Sequence, residues 1–225
     1  MEKGRESVMY RIGIVDDAPE DRADIQVAIL DPDLDKGPVQ FKEYELLNRK
    51  KDQILKEIMD DVTEGTIQAL IVDYRLDTTE VIIEGWEIVD CLHEEAPEFP
   101  MVILTHAPEE GKVSPYTDAD KVYAKKIFLK ANSQESKSMV ENIFLNMDRY
   151  VSNRKRLEAA LEMELCKLDE NSTDEKVLRH VMELETRLKG YKQMSQTAFD
   201  TGFDLGELKS VLEELKKYEE LLGNR

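Results

Sequence analysis

Five short apolar runs divide the first part of the chain, each closing on or beside a polar residue and each followed by a longer polar or helical stretch: YRIGIVD (10–16), VQFKEY (39–44), ALIVD (69–73), MVILT (101–105) and KIFLK (126–130). Strand-length runs alternating with helical patterns are the mark of a parallel sheet with helices on both faces, because a parallel crossover needs a dozen or more residues. The expectation is an α/β fold, a doubly wound five-stranded parallel sheet. Helices are expected from Pro19 to Leu30, over roughly 45–61 with Leu46, Leu47, Ile54, Leu55 and Ile58 on one side, and from Gly85 to Glu95. The segment HAPEEGKVSPYTDADKVYAK, rich in Pro, Gly and Asp, predicts a loop or a shortened helix between the last two strands.

After Asn132 the pattern is helical only. Ser133 or Ser136 serves as N-cap, and Met139, Val140, Ile143, Phe144 and Met147 form the face that covers the sheet. Leu157, Leu161, Leu165 and Leu168 continue the stripe with no Pro or Gly between, so this helix is expected to run straight out of the first domain. A turn follows at DENSTDE, where Ser172 and Glu175 have capping-box spacing. The next helix carries Val177, Val181, Leu184, Leu188 and Tyr191 in heptad steps. DTGFDLGE (200–207) breaks it, and Leu205, Leu208, Leu212, Leu215 and Leu222 mark a last helix. The domain expectation is therefore 8–148 for the sheet domain and 149–225 for an all-α hairpin or small bundle, whose leucine stripe also permits a homodimer.

The formal charge of −18 excludes a nucleic-acid surface, since phosphate binding draws its affinity from clustered Lys and Arg. The basic stretch NRKRLE (153–158) is one helical turn amid acids and reads as a solvated face. Two cysteines, Cys91 and Cys166, without CxxC spacing, fit a reducing cytoplasmic compartment. No apolar signal core or membrane-length run occurs, so a soluble protein with no membrane partner is expected.

The chemistry lies at the strand ends. In a doubly wound sheet these gather at the carboxyl edge, where ligands bind. Asp16 and Asp17 close the first run, Asp73 the third, Thr105 the fourth and Lys130 the fifth. Three carboxylates brought together call for a divalent cation, and a hard, oxygen-lined site suits Mg2+. Beside such an ion a carboxylate can attack a phosphoryl group to give an aspartyl phosphate, with a lysine and a hydroxyl on the phosphoryl oxygens. Asp73, Thr105 and Lys130 supply those parts.

Residues 9 to about 148 resemble the CheY-like receiver domain of two-component response regulators. The motifs that carry the resemblance are IVDDAPEDR, LIVDYRLD, VILTHAP and IFLKAN, in the family's order, with EGWEIVDCL similar to its Gly-x-Glu segment. The resemblance implies a flavodoxin-like fold and a Mg2+-dependent phosphoacceptor at Asp73 in a His-Asp phosphorelay. It implies Asp17 as a direct Mg2+ ligand, Asp16 acting partly through water, and the Arg75 backbone carbonyl completing the set. A histidine kinase or phosphotransfer protein would be the partner. Any enzymatic activity would be self-phosphorylation and self-dephosphorylation, with output through the helices.

Three positions depart from the family pattern. Ile127 stands where an aromatic residue is usual, Ala131 where proline is, and His106 beside Thr105 where a small residue is. DYRLDTTEVIIEG is longer than usual and carries Val81, Ile82 and Ile83 beside the active edge. The substitutions at Ile127, Ala131 and His106 support a rival reading, a phosphorylation-independent pseudo-receiver acting as an interaction or scaffold protein. His180 lies in LRHVMELE, which matches no phosphotransfer motif and reads as a helix-surface histidine.

Overall fold

The computed structural model describes residues 9–34, 36–76, 83–106, 121–130, 133–170 and 175–193, the side chains of 168–170 excepted. In chain order the elements are β1 (Tyr10–Val15), α1 (Pro19–Ile29), β2 (Val39–Glu43), α2 (Lys51–Glu64), β3 (Ala69–Asp73), α3 (Gly85–Glu95), β4 (Met101–Thr105) and β5 (Val122–Ala124). A short α4 (Lys125–Phe128), a long α5 (Gln134–Glu170) and α6 (Glu175–Lys189) follow. Contacts divide the described chain into two compact units. One holds the residues up to Arg156 together with Leu188–Gln193, the other Leu157–Arg187.

In the first unit all five strands are parallel, in the order β2-β1-β3-β4-β5. This is the flavodoxin-like doubly wound order, whose direction reverses between β1 and β3 and opens a crevice at their carboxyl ends. Of the three inner strands, β3 and β4 are buried at every residue, as strands covered on both faces must be. Their side chains alternate between two cores. Leu70, Val72 and Ile103 pack with Ile54, Ile58 and Val62 of α2 and Ile88, Val89 and Leu92 of α3. Ala69, Ile71, Val102 and Leu104 pack with Ile25 and Ile29 of α1 and Val140, Ile143, Phe144 and Met147 of α5. Each fully buried aliphatic side chain contributes up to about 1.5–3 kcal/mol.

The second helix starts later than expected. Asn48 adopts φ 57°, which no helix interior accommodates, and α2 opens only after it with a capping interaction between Lys50 and Gln53. Leu46 is buried from the preceding loop while Leu47 is exposed. α2 ends at Gly65, whose φ of 74° favours glycine. At the start of α5, Ser133 Oγ accepts the Ser136 N–H at 3.1 Å, so Ser133 is the cap, and the Ser136 hydroxyl donates instead to the Phe128 carbonyl.

The fifth strand also lies elsewhere than expected. KIFLK is not a strand: β5 is Val122–Ala124, and the Ile-Phe segment falls on α4. A short apolar run has no period to separate strand from helix. Phe128 is fully buried against the α1 and α5 core while Ile127 is 42% exposed.

In the second unit Leu157, Leu161, Val181 and Leu184 are buried, but Leu165 is exposed. Leu188, back in the first unit, is buried too. The three apolar residues of DYRLDTTEVIIEG divide: Ile83 is core, whereas Val81 and Ile82 lie outside the described residues. So do the 107–120 segment, Ala131, Ser172 and the expected last helix with its leucines. No helix among the described residues is long and apolar enough to cross a membrane.

Candidate functional site

The strand order sets the site. β1 and β3 are neighbours in register, Val15 opposite Val72, so the residues that follow them emerge together at the carboxyl edge. Asp16 and Asp17 leave β1 there and Asp73 ends β3; one carboxylate oxygen from each of the three lies within 4.8 Å of the others. Asp16 is fully buried and Asp73 7% exposed. The Ala18 N–H donates to Asp16 Oδ1 at 2.9 Å, and Arg22 donates to the Asp16 carbonyl at 2.7 Å, which fixes the turn. Thr105 ends β4 beside β3 and is 2% exposed. Arg75 is exposed, and its N–H donates to Asp73 Oδ1 at 3.3 Å.

Lys130 is not in this group. It is exposed, beyond α4, because the strand on which its placement depended is absent. Its place is taken by Lys125, the first residue after β5, which is only 1% exposed. The Lys125 ammonium donates to Asp16 at 2.8 Å and Asp73 at 2.6 Å, and reaches Asp21 on α1 at 2.5 Å. Lys125 and Asp21 are the two site residues that sequence reasoning missed. A signal for Lys125 was present in VYAK, where a β-branched and an aromatic residue run into a lysine.

Three positions before Lys125 stands Val122, 5% exposed and in the core with Ile103, and the next residue is the aromatic Tyr123. Tyr123 faces the opposite core and stacks on Phe128 with ring centroids 6.5 Å apart. Lys126 follows where proline was considered, and His106 is exposed.

Electrostatics hold this cluster in tension. Burial raises the pKa of both Asp16 and Asp73, and the Lys125 hydrogen bonds only partly oppose it. For Lys125, burial alone would lower the pKa, but its three carboxylate partners outweigh it and hold the ammonium well above the ordinary lysine value. Three carboxylates hold one ammonium, and Asp17 brings a further carboxylate oxygen within 4.8 Å of those of Asp16 and Asp73. These are hard, closely spaced oxygens with charge to spare, and they fit Mg2+ better than a softer ion.

A raised carboxylate pKa means that ionisation costs stability. The cost is absent below the unfolded-state pKa and complete once pH exceeds the folded-state value. In chelator at pH 7, Asp73→Asn is therefore expected to melt above wild type. The difference should shrink as pH falls into the carboxylate range. Thermal melts at stepped pH check this; a difference that grows on acidification counts against it.

No protein-family model and no curated protein matches the chain. Among solved structures, a response regulator receiver domain from Rhodospirillum rubrum is 17% identical, with a TM-score of 0.37, over 63% of this chain and 94% of that one. NtrX from Brucella abortus, in a complex with ADP, is 15% identical with a TM-score of 0.38, over 66% of this chain and 34% of its own. The chain is similar to response regulator receiver domains. Its fold assignment rests on the strand order and register above.

Proposed function

We propose that the chain is a response-regulator-like signalling protein whose phosphoacceptor is Asp73. The observation that carries this reading is the Lys125 ammonium on Asp73 and Asp16 at the sheet's carboxyl edge, with Asp17 within 4.8 Å. Asp16, Asp17 and Asp73, with the Arg75 carbonyl, are the residues that would hold Mg2+, and the bound ion supplies positive charge against the carboxylates and the phosphoryl oxygens. An Asp73 carboxylate oxygen attacks phosphorus in a phosphohistidine of a kinase or phosphotransfer protein. The P–N bond breaks, the electron pair leaves with the imidazole, and an acyl phosphate forms on Asp73. The Lys125 ammonium and the Thr105 hydroxyl donate to phosphoryl oxygens, and water later hydrolyses the acyl phosphate at the same edge. Lys125 takes the role that the sequence assigned to Lys130.

Residues 8–148 would form the receiver and 149–225 the output module, acting in the cytoplasm through helix-mediated protein contact or a homodimer rather than through DNA. The pseudo-receiver reading keeps one supporting observation: Lys125 already holds Asp16, Asp21 and Asp73 with no ion required. The test is intact-mass measurement after incubation with acetyl phosphate and Mg2+. Wild type is expected to gain one phosphoryl group, with none on Asp73→Asn and none in chelator. Equal labelling of wild type and Asp73→Asn overturns the assignment. An unlabelled wild type whose Trp86 fluorescence ignores millimolar Mg2+ establishes the pseudo-receiver instead.

A further inference from the structure

An ammonium has three N–H donors; Lys125 donates to Asp16 at 2.8 Å and to Asp73 at 2.6 Å, and its ammonium pairs with a third carboxylate, Asp21, at 2.5 Å. At 1% exposure the ammonium is shielded from bulk solvent. A phosphoryl group arriving on Asp73 therefore finds no free donor on this lysine until a carboxylate lets go.

The three carboxylates are not equally able to leave. Asp16 is fully buried and pinned by the Ala18 N–H, so its release would strand a charge in the core. Asp73 is the acceptor itself. Asp21 sits in the first turn of α1 with its side chain 28% exposed, and rotation alone returns it to water. Resting on the reading of Asp73 as phosphoacceptor, we propose that Asp21 is a positioning residue that occupies the third donor of Lys125 and yields it to the phosphoryl group. Asp21 thereby sets how readily Asp73 is phosphorylated. Its negative charge acts in the same direction, since it adds to the repulsion that an incoming phosphoryl group meets.

The experiment compares wild type, Asp21→Ala, Asp21→Glu and Asp24→Ala. Asp24→Ala removes the same charge from an exposed position one turn further along the same helix, at a residue that is not among the carboxylates paired with Lys125. Two readouts are taken with Mg2+: the rate of Asp73 labelling by acetyl phosphate across donor concentrations, and the affinity for beryllofluoride, a phosphoryl mimic, from Trp86 fluorescence. Asp21→Ala is expected to raise both by roughly tenfold, the scale of one partly solvated charge-assisted hydrogen bond. Asp24→Ala should change them by less than about twofold, and Asp21→Glu, which can still reach the ammonium, should stay near wild type.

If wild type is labelled but Asp21→Ala is no faster, or Asp24→Ala matches it, the role of Asp21 is overturned while Asp73 remains the acceptor. If neither wild type nor Asp21→Ala is labelled and neither binds beryllofluoride, the phosphoacceptor reading falls and this inference with it.

Discussion

Replacing Lys125 with alanine is expected to cost about 3–5 kcal/mol of stability at neutral pH, whereas Lys130→Ala stays within about 0.5 kcal/mol of wild type. The contrast follows from burial. Lys125 is 1% exposed, and its removal leaves Asp16 and Asp73 as desolvated charges without their cation. Lys130 is exposed beyond α4. Urea denaturation of the three proteins measures the difference. Part of the loss in Lys125→Ala should return on acidification, because protonating the stranded carboxylates removes the charge that has lost its partner. Labelling of Asp73 should fall in this variant and persist in Lys130→Ala. A Lys130→Ala variant as damaged as Lys125→Ala would restore the lysine to its sequence-based position.

The second large effect is expected at Gly85. A Cβ built there would stand 1.8 Å from the Asp73 carbonyl oxygen and 2.9 Å from that of Tyr74. Both obstacles are backbone, so no rotamer relieves them, and the first turn of α3 must withdraw from the end of β3. Gly85→Ala is expected to destabilise by about 3 kcal/mol, at the upper end of the usual overpacking range. It should also slow labelling, because the peptide that moves is the one carrying the phosphoacceptor. Gly13→Ala is the internal comparison. Its Cβ would meet Leu70 Cδ1 at 2.6 Å, the far end of a flexible side chain, so a cost near 1 kcal/mol is expected. Chemical denaturation of both variants checks the order; a milder Gly85→Ala would mean that α3 is not seated on Asp73 as described.

How legible each part was depended on how far local pattern determined it. β3, β4 and α3 lie at the residues expected, because a continuous apolar run between turn signals and an amphipathic stretch opening on glycine each admit one good solution. The same logic failed at KIFLK. VYA, the true strand, is three residues long, below the length at which alternation shows, and the stronger apolar run beside it was a helical turn. The choice moved the lysine by five places. Asp21 was invisible for a different reason: an acidic residue in a first helical turn is ordinary dipole chemistry. Nothing in the local sequence marks a contact with a lysine on the far side of the sheet order. Asp16, Asp17 and Asp73 were legible because each stands at or just past a strand end, and parallel topology brings such ends together.

The edges of the sheet limit how another molecule can take hold of this protein. β5 has three residues, and β2 presents Gln40, Lys42 and Glu43, with Lys42 tied to Glu57 and Asp61 and Tyr44 closing on Asp61 at 2.7 Å. Recognition by strand addition draws on a row of unpaired main-chain groups along a long, bare edge. Here one margin is too brief and the other is studded with paired charges. Among the described residues neither margin offers such an edge, so a contact made at either one would have to use side chains rather than the main chain.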